Sequence, residues 1–569
     1  MTERDTTWQV VEDAAEVLAP EADLIGEFDM ASFGGSIFAV LNRAMQRPGE
    51  FAEAGLRLST TLARIAQFMA AKAAGAAATP PIPLAADKRF TDRTWEDNAG
   101  FAGLRQAYLA VRQFNDDLLA AGSGDPVTDG KAQLMSGFLL DAVAPTNFLA
   151  TNPAAMKRAF ETGGASLVAG ARNFLDDVAH NDGRPSQVDR RPFHLGQNAA
   201  ATPGSVVFQS ELMELIQYAP QTPKVGAIPM LMSPAWINKY YIMDLAPGRS
   251  FIEWAVQHGH TVFAISYRNP DASMRGVTLD DYLIEGPRTA LDVISDITGA
   301  DKINITGLCL GGALTAMLAS YLVKAGDDRI GCITLLNTLL DYSEPGVLGV
   351  FTDEKTVARM EHHMEAKGFL EASDMRTAFD MLRANDLIFS YVATNWLMGQ
   401  QPPAFDILAW NADSTRLPAA MHSFYLRSLY LHNQLAKGEM ELAGQQLSLK
   451  DITADTYVVS AENDHIVPWT ASYKATGLLG GDVRYVLSNG GHIAGIVNPP
   501  GPKAWHEVSQ GGHASAAQWR ASAKVIKGSW WQDWADWTKP RSGGLVKPPT
   551  LGSKRYPALG DAPGDYVRG

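Results

Sequence analysis

Cysteine occurs only twice in the 569 residues, and one of the two stands in a sequence suited to nucleophilic chemistry. Ile303-Asn304-Ile305-Thr306 reads as a strand, Gly307-Leu308-Cys309-Leu310-Gly311-Gly312 as a sharp turn, and the alanine- and leucine-rich run from Ala313 as a helix. A nucleophile held in a strand-to-helix turn needs small residues two before and two after it, because side chains there would collide across the turn. The helix that follows directs its N-terminus at the thiol, which favours negative charge on sulfur. The competing reading, a buried structural cysteine, suits Cys332 better. That residue lies inside an apolar strand with no turn around it.

A thiol in such a turn needs a base and an acid to orient the base, placed after later strands. The chain supplies both in order. Strand Thr456–Ser460 runs into Glu462-Asn463-Asp464-His465-Ile466-Val467-Pro468-Trp469, and strand Val483–Leu487 into Ser488-Asn489-Gly490-Gly491-His492-Ile493-Ala494-Gly495. Each candidate then projects from the C-terminal end of a strand, where open α/β sheets place their sites. Cys309, Asp464 and His492 form the expected catalytic triad, with Glu462 and His465 as alternatives to the acid and the base. His465 directly follows the acid and is expected to pack near the site. The backbone N–H of Leu310 is the first expected oxyanion donor. The second belongs to the loop Ser233-Pro234-Ala235-Trp236-Ile237-Asn238-Lys239-Tyr240-Tyr241, and Trp236 is taken as that donor.

Other chemistries lack their residues. HExxH, CxxC, P-loop and GxGxxG patterns are missing, and the adjacent His362 and His363 point to different faces of a helix. No metal and no cofactor are expected. The net charge of −14 argues against nucleic acid or an anionic membrane surface as a main partner. Nine acids against Arg4 alone lie in residues 1–29, so the remainder is only mildly acidic. An acidic start is the wrong sign for a secretory signal or transit peptide. The uncharged run Leu387–Phe405 contains Asn395, Gln400, Gln401, Pro402 and Pro403 and is too polar and broken to span a bilayer. Two cysteines make no disulfide framework, and the chain reads as cytoplasmic.

The elements that must position these residues fall into two regions. Helical patterns cover 51–78, 100–122, 132–144 and 153–179, giving a mainly helical N-terminal domain over 1–195 with an acidic flexible start. From 196 to 569, short apolar runs at Val225–Met232, Thr261–Tyr267, Lys302–Thr306, Ile330–Leu336, Thr456–Ser460 and Val483–Leu487 alternate with helical segments. That alternation implies a parallel, doubly wound α/β catalytic domain. Residues 345–425 interrupt it and are expected to form a cap insertion over the strand ends. Trp530, Trp534 and Trp537, spaced i, i+4, i+7, are expected to lay one aromatic helix face on the core.

Taken together, several separated pieces resemble the class I poly(3-hydroxyalkanoate) synthases, also called poly-beta-hydroxybutyrate polymerases. They are Gly307–Gly312, Asp464–Trp469, Gly491–Gly495, Pro234 with Ile237–Tyr241, Asn147-Phe148-Leu149-Ala150-Thr151-Asn152-Pro153, and the segment Tyr556–Val567. The likeness runs from about residue 90 to the end. Leu308 and Leu310 flank the cysteine where the family usually has other residues. The resemblance implies an α/β-hydrolase fold with a cap and an acyltransferase that polymerises (R)-3-hydroxyacyl-CoA into polyester. CoA is released, and a short unit such as 3-hydroxybutyryl-CoA is favoured. In this reading the nucleophile, acid and base are Cys309, Asp464 and His492, and the CoA thioester is substrate, not cofactor. A homodimer at the surface of cytoplasmic polyester granules is implied as well, with granule-coating proteins as further partners. Two alternatives stay open: a cysteine-type hydrolase (thioesterase or depolymerase) sharing the same triad, and a non-catalytic granule-associated protein.

Overall fold

The computed structural model describes residues 30–83, 87–120, 122–509 and 514–569. The acidic start at 1–29 lies outside the described residues. The described residues divide into two compact units, one within 1–189 together with 374–404 and the other of residues 190–373 with 405–569.

The first unit is helical: α1 (Met30–Met45), α2 (Pro48–Ala73), α3 (Ala99–Leu119), α4 (Pro126–Ala142), α5 (Pro153–Glu161) and α6 (Ala165–His180). Polar side chains start these helices where the sequence offers them. Asn98 Oδ1 accepts from the Gly100 and Phe101 amides, Asp125 caps Thr128, and Asn152 caps Ala155, each satisfying donors that a first turn leaves open. The helix expected over 153–179 is broken into α5 and α6 at Gly163 and Gly164, both at positive φ. A small core holds Phe90, Trp95, Tyr108 and Ala144, with the Phe90 and Trp95 rings edge-on at 4.8 Å.

Residues 374–404 belong to this unit although they fall inside the stretch expected as the cap. Polar contacts explain the placement. The Trp396 indole donates to Asp177 Oδ2 at 2.7 Å, Asn395 donates to the Ser186 carbonyl at 2.7 Å, and Gln187 donates to Asp380 and to the Leu387 carbonyl. Phe174 packs edge-on against Trp396 at 5.0 Å. These partners lie some two hundred residues apart in sequence, beyond the reach of local periodicity.

The second unit is built on an eleven-stranded sheet. In chain order its strands are β1 (Gly204–Gln209), β2 (Met213–Tyr218), β3 (Met230–Ser233), β4 (Val262–Tyr267), β5 (Ile303–Leu308), β6 (Ile330–Leu336), β7 (Thr456–Ala461), β8 (Val483–Ser488), β9 (Trp505–Val508), β10 (Lys524–Lys527) and β11 (Gly560–Asp561). Across the sheet they run β10-β9-β8-β7-β6-β5-β3-β4-β2-β1-β11. The six central strands, β8 to β4 in this order, are parallel, and both margins are antiparallel. Central strands are buried along nearly their whole length, which accounts for their continuous apolar runs.

One expected strand is two. Val225–Gly226 pairs with Leu545–Val546 outside this sheet, and only Met230–Ser233 joins it. Pro229 separates them; its nitrogen has no hydrogen to give a ladder. The chain passes from β3 to β4 on one side and then crosses to β5 on the other, so β3 and β5 flank the point where the winding reverses. A crevice opens beyond the strand ends at such a point. Cys309 follows β5 directly, and the Ser233–Tyr241 loop follows β3.

Candidate active site

Cys309 sits between β5 and helix α7 (Leu310–Ala325) at φ 53°, ψ −117°. A non-glycine residue at positive φ is strained, costing on the order of 1–3 kcal/mol, and such residues gather at functional sites. The surroundings hold it there. Its amide donates to the Leu336 carbonyl at 2.8 Å, and its carbonyl accepts from Gly312 and Ala313 at the start of α7. A side chain on Gly307 would come within 2.6 Å of the Gly311 carbonyl and the Thr315 hydroxyl, and one on Gly311 would overlap the Ser233 and Pro234 carbonyls. The second clash shows how close the loop after β3 lies to the turn. Both glycines therefore exclude a Cβ for the steric reason that the motif suggested.

Asp464 and His492 come from the next strand ends, β7 and β8, and face each other. Asp464 Oδ2 meets His492 Nδ1 at 2.7 Å, and Oδ1 accepts from the Ile466 and Val467 amides at 2.9 Å each. Both residues are buried. Burial alone would lower the pKa of the imidazole. The charge and hydrogen bond of Asp464, followed by the hydrogen bond and charge of Cys309, outweigh burial and bring it up to about 10. The ring is thus fixed between a carboxylate on Nδ1 and the thiol of Cys309, an arrangement able to take a proton from sulfur. Of the alternatives, Glu462 is paired with Arg520 instead, and His465 is half-buried beside Asp464.

Trp236 follows β3 and is buried, its ring against Tyr282 and Tyr425 and its carbonyl accepting from Thr415. Leu310 opens α7, where no earlier turn supplies an acceptor for its N–H. Cys332 lies in β6, its amide donating to Asn304 Oδ1 at 2.9 Å. Burial pushes its thiol up to about 12. Among the described residues no group of three His, Cys, Asp or Glu gathers to hold a metal, and no helix is long and apolar enough to cross a membrane.

Several residues that hold the site have no local signature. Asn337, at φ 43° just after β6, donates from its side chain to the His492 carbonyl. Helix α8 (Trp530–Thr538) buries Trp530, Trp531 and Trp534, as the tryptophan spacing suggests. Its indoles also do more than fill space. Trp530 Nε1 donates to the Gly495 carbonyl and Trp531 Nε1 to that of Ile496, both at 2.9 Å, tying down the loop that carries His492. Three tyrosines, 342, 425 and 430, lie close enough to Cys309 for its charge to act on their phenols.

Comparison with known proteins identifies the family. A family model described as "Poly-beta-hydroxybutyrate polymerase (PhaC) N-terminus" matches residues 86–255, and one described as "alpha/beta hydrolase fold" matches residues 234–499. The poly(3-hydroxyalkanoate) polymerase of Methylorubrum extorquens is 39% identical over 97% of this chain and 92% of its own. The poly(3-hydroxyalkanoate) polymerase subunit PhaC of Cupriavidus necator is 41% identical over 85% of this chain and 83% of its own. Among solved structures, alpha/beta hydrolase domain-containing protein 10 from mouse aligns at 15% identity and a TM-score of 0.30, over 52% of this chain and 95% of its own. The second unit has the α/β-hydrolase fold, and the chain belongs to the poly(3-hydroxyalkanoate) polymerase family of acyltransferases.

Proposed function

We propose that the protein polymerises (R)-3-hydroxyacyl-CoA, with 3-hydroxybutyryl-CoA as the preferred unit, through an acyl-enzyme on Cys309. The observation that carries this reading is the continuous arrangement Asp464–His492–Cys309 at a strained strand-to-helix turn. Asp464 raises the basicity of His492, so the proton of Cys309 passes to the imidazole and the pair stands as thiolate and imidazolium. The sulfur attacks the thioester carbonyl, the C–S bond to CoA breaks, and CoA leaves with the proton from His492. One thioester replaces another, so the exchange is nearly balanced in energy. The developing oxyanion is met by the backbone N–H of Leu310 and by one from the adjacent loop, assigned to Trp236.

In the second step a hydroxyl group, from the growing chain or the incoming unit, gives its proton to His492 and attacks the acyl-cysteine. An ester forms and the Cys309 thiol is released. Water in place of that hydroxyl would end the chain, so the site must be closed to water. The product of this reaction is an insoluble polyester, and the reading assigns the working enzyme to the surface of the granules it forms.

Incubation of the purified protein with (R)-3-hydroxybutyryl-CoA tests the reading. Released CoA together with insoluble polymer is the expected result. Release of CoA with only free 3-hydroxybutyrate would instead make the protein a thioesterase. Repeating the assay with acyl chains of four to ten carbons ranks the substrates, and a preference for the longer chains would overturn the short-unit assignment.

A further inference from the structure

The wall beside Cys309 is aromatic and carries phenols. Tyr342 and Tyr430 meet edge-on at 4.9 Å, Tyr430 and Tyr425 edge-on at 5.5 Å, and Trp236 stands perpendicular to Tyr425 at 5.9 Å. Tyr342 comes from the loop after β6, whose Thr338 abuts Gly312 in the turn after Cys309. That loop is pinned by Asn433, which accepts from the Tyr342 amide and donates to Asp341, both at 2.9 Å. Tyr425 ends the helix Ala419–Tyr425, and Tyr430 lies in the π-type turn Leu426–Leu431 that follows. The wide i→i+5 turn stacks residues five apart on one face, and such turns recur at functional sites. The Tyr425 and Tyr430 hydroxyls lie together on that face.

Packing alone would be served as well by phenylalanine; the Tyr425 and Tyr430 hydroxyls interact with each other, and such a pair keeps a donor and an acceptor for a third oxygen. Burial first, and also the charge of Cys309, hold all three hydroxyls protonated; the neighbouring phenols add to this for Tyr342 and Tyr425, while Tyr425 acts the other way on Tyr430. A 3-hydroxyacyl group bound to sulfur through C1 carries its hydroxyl two carbons further on, so a group that bonds it must stand near the thiol. His492 is committed there to Asp464 and Cys309.

We propose that the Tyr425–Tyr430 hydroxyl pair binds the 3-hydroxyl of the acyl group on Cys309 and makes the site select hydroxyacyl over plain acyl thioesters. The inference rests on the acyl-enzyme reading above. A site built to bond a substrate hydroxyl discriminates strongly against an analogue without it.

Rapid-quench measurement of the first equivalent of CoA, released from (R)-3-hydroxybutyryl-CoA and from butyryl-CoA, tests the pair. The unmodified protein should favour the hydroxyacyl substrate by about tenfold to a hundredfold, as expected for one or two neutral hydrogen bonds. In Tyr430→Phe and in Tyr425→Phe that ratio should collapse toward one. The two variants are independent, so one that fails to fold leaves the other to decide. A ratio preserved in the folded variants overturns the proposal, even if both rates fall together as loss of an oxyanion donor would cause. Cys309→Ala keeps the two readings apart. A burst of CoA retained in that variant overturns the acyl-enzyme itself, whereas a preserved ratio overturns only the tyrosine pair.

Discussion

Cys309 and Cys332 belong to neighbouring strands of one sheet, and their environments are opposite. Cys332 lies within β6, with its amide bonded to Asn304 of β5 and its thiol pushed up to about 12 by burial. Cys309 lies one residue beyond β5, at positive φ, half-buried, with the His492–Asp464 pair beside it. The residue type is the same in both places. What differs is position relative to the strand end, because only there can side chains from β5, β7 and β8 converge above a helix N-terminus. A cysteine inside the sheet is shut away from solvent and behaves as a small hydrophobe.

The largest effect should come from removing the sulfur at the strand end. Cys309→Ala should lower CoA release from (R)-3-hydroxybutyryl-CoA by at least about 10⁴-fold, while Cys332→Ala stays within about twofold of the unmodified protein. Equal losses in the two variants would erase the contrast. Asp464→Asn should cost about 10²- to 10⁴-fold, because His492 loses the charge and the acceptor that fix its tautomer and raise its basicity; steady-state kinetics of the folded variant reads this directly.

Alkylation separates the cysteines without mutation. Iodoacetamide at neutral pH should modify Cys309 about a hundredfold faster than Cys332 in the native protein, and peptide mapping after a time course gives both rates. In stability the order reverses. Cys332→Ala should cost about 1–2 kcal/mol in chemical denaturation, since it empties a packed position between strands.

The smallest effect is a pH dependence. His492 is raised from 6.5 to about 10, so its contribution to stability is complete below 6.5 and is lost as pH rises through about 10. The melting-temperature advantage of the unmodified protein over Asp464→Asn should therefore shrink across that window, and an advantage that grew with pH would contradict the ion pair.

The motif-bearing turns were legible because their demands are local. Gly307 and Gly311 must be small to avoid atoms within a few residues or at one adjoining loop, and Asp464 and His492 each follow a strand of buried apolar residues. The groups that steady them were not legible. Asn337, Trp530 and Trp531 reach the His492 loop from elsewhere in the fold, and nothing in their own neighbourhoods announces it. The tyrosines at 342, 425 and 430 read as ordinary aromatic residues until tertiary packing sets them beside Cys309. The outer strands β1, β2, β9, β10 and β11 also escaped, since antiparallel margins carry weaker patterns than the parallel centre. Residues 374–404 read as part of a cap because their partners on α6 are defined by side-chain hydrogen bonds across long sequence separations.

Direct capture of the acyl-enzyme tests the central claim. The protein is mixed with (R)-3-hydroxybutyryl-CoA, quenched in acid within the first turnover, digested, and mapped by mass spectrometry. The expected result is a 3-hydroxybutyryl adduct on the peptide containing Cys309, absent from Cys309→Ser and undiminished in Cys332→Ala. An adduct on another residue, or polymer formed with Cys309 unmodified throughout, would contradict it.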